Sequence, residues 1–158
     1  MKKLTALAFS LLLLFSLMGC ASRAPFTPES FKTAAENAKL TVTEVDPTAL
    51  RQENVRSITT GTTGEGGATA AQVIVFDTEA AAKTLYATIT DSVASAGGKV
   101  EKRIDSSTYN KLFLQNGTSF VAVIRVENTL FYGEDAGTGE IKTLLEEMGK
   151  NHATPRHP

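Results

Sequence analysis

Apolar positions recur along this chain with a period that switches between helical and strand-like, and the switches mark its elements. From Thr27 the spacing is helical, with Phe31, Ala34, Ala35 and Ala38 on one face. Thr27 suits the N-cap, Pro28 the first helical position and Glu29 the positive end of the dipole, while Phe26 is placed to staple onto Phe31. Leu40 to Val45 then alternates apolar and polar as a strand closed by Asp46-Pro47. Val55 to Thr63 is β-branched and threonine-rich, and Thr69 to Phe76 reads as its return strand across Gly64-Glu65-Gly66-Gly67. That glycine run lacks the Gly-Lys-Ser/Thr of a phosphate-binding loop and is read as a hairpin turn.

Asp77-Thr78-Glu79 opens the longest helix, to about Ala96, with Ala82, Leu85, Ile89, Val93 and Ala96 as its apolar stripe, Tyr86 beside it and Gly97-Gly98 as the stop. A meander follows at Lys99 to Ile104, Tyr109 to Gln115, Thr118 to Val126 and Thr129 to Tyr132, with Asn116-Gly117 as a two-residue hairpin signal and Glu127-Asn128 as the next turn. Gly137, Thr138 and Glu140 start a last helix carrying Ile141, Leu144, Leu145 and Met148, capped by Gly149. The polar residues 150–158, with Pro155 and Pro158, are expected to be disordered. The element order predicts an α+β fold in two layers, an antiparallel sheet covered on one face by helices, with residues 27–149 as its single domain. Helix, strand and hairpin recur in the same order in both halves, which suggests an internal α-β-β-β duplication.

The first residues do not belong to that pattern. Lys2 and Lys3 precede an apolar stretch from Leu4 to Met18 that is shorter than the roughly 20 residues needed to span a bilayer, and it ends at Leu17-Met18-Gly19-Cys20. This resembles the lipobox of bacterial lipoproteins. The resemblance implies that signal peptidase II cuts between Gly19 and Cys20, that residues 1–19 are removed, and that Cys20 is diacylated through sulfur as the mature N-terminus. Residues 20–26 are then a short lipidated tether. Two or three acyl chains, at roughly 0.8 kcal/mol per buried methylene, hold far more firmly than one. No aspartate follows Cys20, so the inner-membrane retention cue is missing and the receiving membrane is left open. In layout, the long helix followed by a meander with an Asn128-Thr129-Leu130 step resembles small uncharacterised bacterial lipoproteins, which implies no activity.

Composition narrows the function. The 158 residues carry 16 basic and 17 acidic side chains and one cysteine. Removing residues 1–19 with Lys2 and Lys3 leaves 14 basic groups against 17 acidic ones, a charge near −3. That balance argues against nucleic acid as a partner and leaves membrane attachment to the acyl anchor. A single cysteine excludes an intrachain disulfide and a multi-thiolate zinc site. The only histidines, His152 and His157, lie in the tail, so no imidazole is held by the folded region for nucleophilic catalysis and no preorganised metal site is expected.

Among carboxylates, Glu134 and Asp135 precede the last helix and Glu140, Glu146 and Glu147 lie along it, in positions read as solvated. The segment Glu134 to Glu140 lacks the spacing of a calcium loop. Lys99, Lys102, Arg103 and Lys111 form the one basic concentration and the candidate interaction surface, interrupted by Glu101 and Asp105. Tyr109, Phe113, Phe120, Phe131 and Tyr132 place five aromatic rings in the second meander, as core or as a binding platform. The reading is a non-enzymatic, membrane-anchored, extracytoplasmic module that binds a protein or envelope component and needs no cofactor beyond the covalent lipid on Cys20. A small-ligand pocket between helices and sheet is the alternative, and a carboxylate-based envelope hydrolase, with paired carboxylates about 5–10 Å apart, is a third.

Overall fold

Capping chemistry and alternation together account for most of the architecture of the computed structural model, which describes residues 23–50, 54–63 and 68–153. Helix α1 spans Pro28–Asn37; the Thr27 hydroxyl accepts from the Ser30 amide and Ser30 returns the contact, closing a capping box. Strand β1 (Thr41–Val45) pairs with β2 (Val55–Thr62), and β2 with β3 (Thr69–Phe76). Helix α2 is Glu79–Ser95, with Thr78 as N-cap. The second meander is β4 (Lys99–Asp105), β5 (Tyr109–Asn116), β6 (Ser119–Val126) and β7 (Thr129–Asp135), and α3 is Glu140–Ala153.

All seven strands form one antiparallel sheet in the order β1-β2-β3-β7-β6-β5-β4. This is the α+β class read from the sequence. The layering is different: helices cover both faces, giving three layers instead of two. Phe31 of α1 and Ile141, Leu144 and Met148 of α3 pack with Val73, Phe120, Ala122, Ile124 and Phe131. Ala82 and Tyr86 of α2 pack with Ile74, Leu112, Val121, Val123 and Leu130. Consecutive residues of β6 therefore enter opposite cores, as a strand's two-residue period requires. The physical reason is that β6 is buried from Phe120 to Val126 without a polar face to turn to water, so one helical layer could not cover it.

The chain order gives this sheet a particular symmetry of layout. Strands β3 and β6 both run antiparallel to β7, on its two sides. The units α1-β1-β2-β3 and α2-β4-β5-β6 thus flank β7 with their helices on opposite faces.

Smaller differences have local causes. Helix α2 buries Ala82, Tyr86 and Thr90, while Leu85, Ile89 and Val93 are half-buried and Ala96 is exposed, because the helix turns its Tyr86 edge toward the sheet. Strand β7 continues to Asp135 through Gly133, where a Cβ would come within 2.9 Å of Ile141 and the Phe131 ring. The β5–β6 turn centres on Gly117-Thr118, one residue later than expected, with Gly117 at φ +59°. Helix α3 runs past Gly149 to Ala153. Gly149 does not adopt the left-handed backbone of a cap. The helix thus takes in residues 150–153 of the expected tail, and residues 154–158 lie outside the described residues. So do Gly19, Cys20 and the Gly64 to Gly67 turn.

Candidate functional site

The N-terminal segment is joined to the domain before α1 begins. The Phe26 ring is buried against Phe131, 6.0 Å between centroids, and the Phe26 amide donates to the Thr129 hydroxyl at 3.0 Å. Arg23 lies over the Tyr109 ring, 4.2 Å from its centroid, and donates to the Tyr109 hydroxyl at 2.7 Å. The segment from Arg23 to Phe26 is thus seated on β5 and β7.

The residues of the expected basic surface divide between the two faces of the sheet. Lys99, Lys102 and Lys111 share one side, because Lys99 is opposite Gln115, Lys102 opposite Phe113, and Ile104 opposite Lys111. Arg103 is opposite Leu112, whose side chain lies in the α2 core, so it points to the other side. There Arg103 donates to Asp105 at 2.7 Å. A bulge between Val100 and Lys102 shifts the alternation. The aromatic set divides as well. Phe120 and Phe131 are buried and Tyr109 and Phe113 half-buried on the α1/α3 side, whereas Tyr132 is on the α2 side with its hydroxyl donating to Glu134 at 2.8 Å. Burial together with Glu134 raises the Tyr132 phenol above its ordinary range.

Asp135 is committed to structure. It is 1% exposed, and its two carboxylate oxygens accept from the backbone amides of Gly137 and Ile141. The Glu140 carboxylate accepts from the hydroxyls of Thr69 and Thr138. These bonds fix the loop between β7 and α3 and account for its acidic residues without a metal. Among the described residues no group of three metal-ligating side chains comes together.

A cleft of about 380 Å³ opens between α2 and the β4–β5 turn, lined by Lys83, Tyr86, Asp91, Arg103, Asp105 and Asn110 among others. Tyr86 is 6% exposed, and its hydroxyl, covered from solvent, has no hydrogen-bond partner among the described residues. Burial, followed by the charge of Asp105, pushes this phenol up to about 12. It is a neutral donor near physiological pH, and an unfilled hydroxyl in such a place costs stability. Around it, Asn110 donates to Asp105 at 3.3 Å, and Lys83 pairs with Glu79 at 3.3 Å. Arg103 holds the Asp105 carboxyl below its ordinary range, so this carboxylate is an acceptor and not a proton donor at neutral pH. The cleft is walled by paired charges of both signs, with one neutral, solvent-covered donor behind them. That suits hydrogen bonding to hydroxyl or amide groups better than general acid catalysis. A second cleft of about 360 Å³, beside Pro28, Glu44 and Arg56, has no such orphaned group.

Behind the cleft sits Arg125, fully buried on β6. It donates to Glu79 at 3.0 Å, to Asn110 at 2.6 Å, and to the carbonyls of Glu127 and Ser107 at 2.8 Å each. It therefore joins the first turn of α2 to the β4–β5 turn, the two walls of the cleft. The sequence carries a signal for it, a lone charge inside the apolar run Phe120 to Val126. The signal for Tyr86 is weaker, a single hydroxyl near a helix stripe. Arg23 has none beyond its place within the tether.

Neither family models nor curated proteins match this chain. Among solved structures, it is similar to a GTP binding regulator from Thermotoga maritima, with 16% identity and a TM-score of 0.47, covering 82% of this chain and 92% of that one. It is also similar to the extracellular domain of PknH from Mycobacterium tuberculosis, with 9% identity and a TM-score of 0.39, covering 81% and 99%. Among the described residues no helix is long and apolar enough to cross a membrane.

Proposed function

We propose that this chain is a non-enzymatic, extracytoplasmic binding module, lipid-anchored at Cys20, which recognises an envelope component bearing hydroxyl or amide groups in the cleft between α2 and the β4–β5 turn. The observation that carries the recognition is the buried, unpartnered Tyr86 hydroxyl on the wall of that cleft. A native protein rarely leaves such a group unsatisfied unless something else supplies its partner. The anchor rests on Leu17-Met18-Gly19-Cys20. The non-enzymatic reading rests on the lack of a histidine before residue 152 and on the ion-paired state of Asp105.

The test is thermal unfolding of the purified mature chain and of Tyr86→Phe with a panel of N-acetylated amino sugars, muropeptide fragments and dipeptides. Without additive, Tyr86→Phe is expected to match or exceed the native melting temperature, because it removes an unsatisfied group. A bound fragment at 100 times its dissociation constant stabilises by about 2.7 kcal/mol, several degrees for a domain of this size. The shift is expected in the native chain and strongly reduced in Tyr86→Phe. A flat panel, or an equal shift in both proteins, overturns the cleft as the recognition site.

A further inference from the structure

Apart from Lys32 and Lys39, which stand on and just after α1, the cations among the described side chains fall into two sets. On the α2 side and at the strand ends, Arg56, Lys83, Arg103 and Arg125 each pair with a carboxylate. On the α1/α3 side of β4, β5 and β6, none of Arg23, Lys99, Lys102, Lys111 and Lys142 has a carboxylate within ion-pair distance among the described residues. Three of them lie over aromatic rings instead. Arg23 is over Tyr109, Lys111 is 4.2 Å from the Phe113 centroid, and Lys142 is 4.6 Å from that of Phe120. Phe113 and Phe120 meet edge to face at 5.4 Å, so the rings and cations run on continuously from β5 to α3. Helices do not cover this end of the sheet: Lys99, Lys102 and Lys142 are exposed, and Tyr109, Lys111 and Phe113 half-exposed. Burial first, and then the charges of Lys102 and Arg23, lower the affinity of Lys111 for its proton.

Arg23 is the third residue after Cys20 in the chain, and it is bonded to this face. Extended residues reach only about 3.3–3.6 Å each, so an acyl chain on Cys20 would hold this face within about 10 Å of the bilayer. From these observations we infer that the face built by Arg23, Lys99, Lys102, Lys111 and Lys142 docks on the anionic phospholipid surface in which the anchor sits, holding the domain in one orientation with the Tyr86 cleft turned away from the membrane. The inference rests on the lipid-anchor reading of Cys20. Aromatic rings with basic side chains beside them are the side-chain chemistry of a membrane interface. Cations lacking carboxylate partners attract an anionic leaflet within a Debye length even though the mature chain is acidic overall.

The test reconstitutes the mature chain, extracted from membranes, into vesicles of phosphatidylcholine alone or with about 30% phosphatidylglycerol, and maps amine labelling by mass spectrometry. The mass of the N-terminal peptide reports acylation of Cys20 separately from the footprint. If that peptide is unacylated, the anchor reading fails, and the face is then tested by co-sedimentation of the chain with the same two kinds of vesicle. Docking is expected to lower labelling of Lys99, Lys102 and Lys142 at least about fivefold in the anionic vesicles, with recovery in about 1 M salt, while Lys32 and Lys83 stay unchanged. The double variant K99E/K102E, at two exposed positions, should keep its melting temperature and its lipid but lose the protection. Equal labelling in both vesicles, or protection that K99E/K102E retains, overturns the inference. So does protection by a soluble anionic polymer in neutral vesicles with none by the anionic bilayer.

Discussion

Arg125→Ala is expected to lower the unfolding free energy by about 3–5 kcal/mol, a large part of the stability of a domain this size. The side chain is fully buried, and truncation leaves the carbonyls of Glu127 and Ser107 and the side-chain oxygen of Asn110 without their donor, inside a new cavity. It also releases the β6–β7 turn. Glu127 is held there at φ +51°, a backbone region that glycine favours, and its carbonyl is bonded to Arg125. Arg125→Met keeps most of the packing volume and should cost less than alanine, though it too orphans the carbonyls. Urea unfolding of the three proteins measures this, and a loss below about 1 kcal/mol for alanine would remove Arg125 as the tie between α2 and the β4–β5 turn.

The same residue shapes the acid limb of stability. Hydrogen bonds from Lys83 and then Arg125 hold the Glu79 carboxyl below its ordinary 4.5. A carboxylate depressed by folding contributes stability that is present above its unfolded value and lost as the pH falls through the folded one. Native protein should therefore lose part of its stability below about pH 4.5, and Arg125→Ala should show a flatter limb over that range.

Phe131→Ala is expected to cost about 3–5 kcal/mol through the cavity it leaves. Phe131 is fully buried on β7, the central strand, and its ring receives Phe26 at 6.0 Å and Phe31 at 6.4 Å. One side chain thus anchors both the segment leading from the N-terminus and the first helix. Removing it should shift the urea midpoint with an unchanged slope, and should also raise proteolysis before residue 28 as Phe26 loses its seat. A midpoint within experimental error of the native one would mean that Phe26 and Phe31 can close the space between them.

How much of this was legible in the sequence depended on whether a feature was local. Thr27, Pro28 and Ser30 carry the start of α1 in their own chemistry, and the glycine in Asn116-Gly117 carries its hairpin. The layering was not local. A stripe on α2 shows that one side is buried but not which sheet face it meets. The apolar run of β6, broken only by Arg125, was the one sign that both faces would be covered, and Arg125 itself was the sign of a buried polar network. The basic residues divide between the faces for two reasons: adjacent Lys102 and Arg103 alternate as strand neighbours must, and the bulge between Val100 and Lys102, which sequence does not announce, puts Lys102 on the same side as Lys99. The Tyr86 cleft depends on a hydroxyl that lacks a partner, which only coordinates can reveal.

The position of β7 between β3 and β6 has a consequence for how this chain reaches its folded state. The strand that joins the two meanders is the last one synthesised. Its pairings are Val75 with Thr129 and Thr69 with Asp135, across the whole of α2 and the second meander, whereas most other strand partners are neighbours in sequence. Closing so long a loop is the slow, entropically costly step. Until residue 135 is free, β3 and β6 both present open edges able to pair with foreign strands. On the export reading proposed above, that order is an advantage, because the sheet cannot close before the C-terminal part of the domain has crossed. The same order makes a chain truncated before Thr129 the form most prone to aggregate.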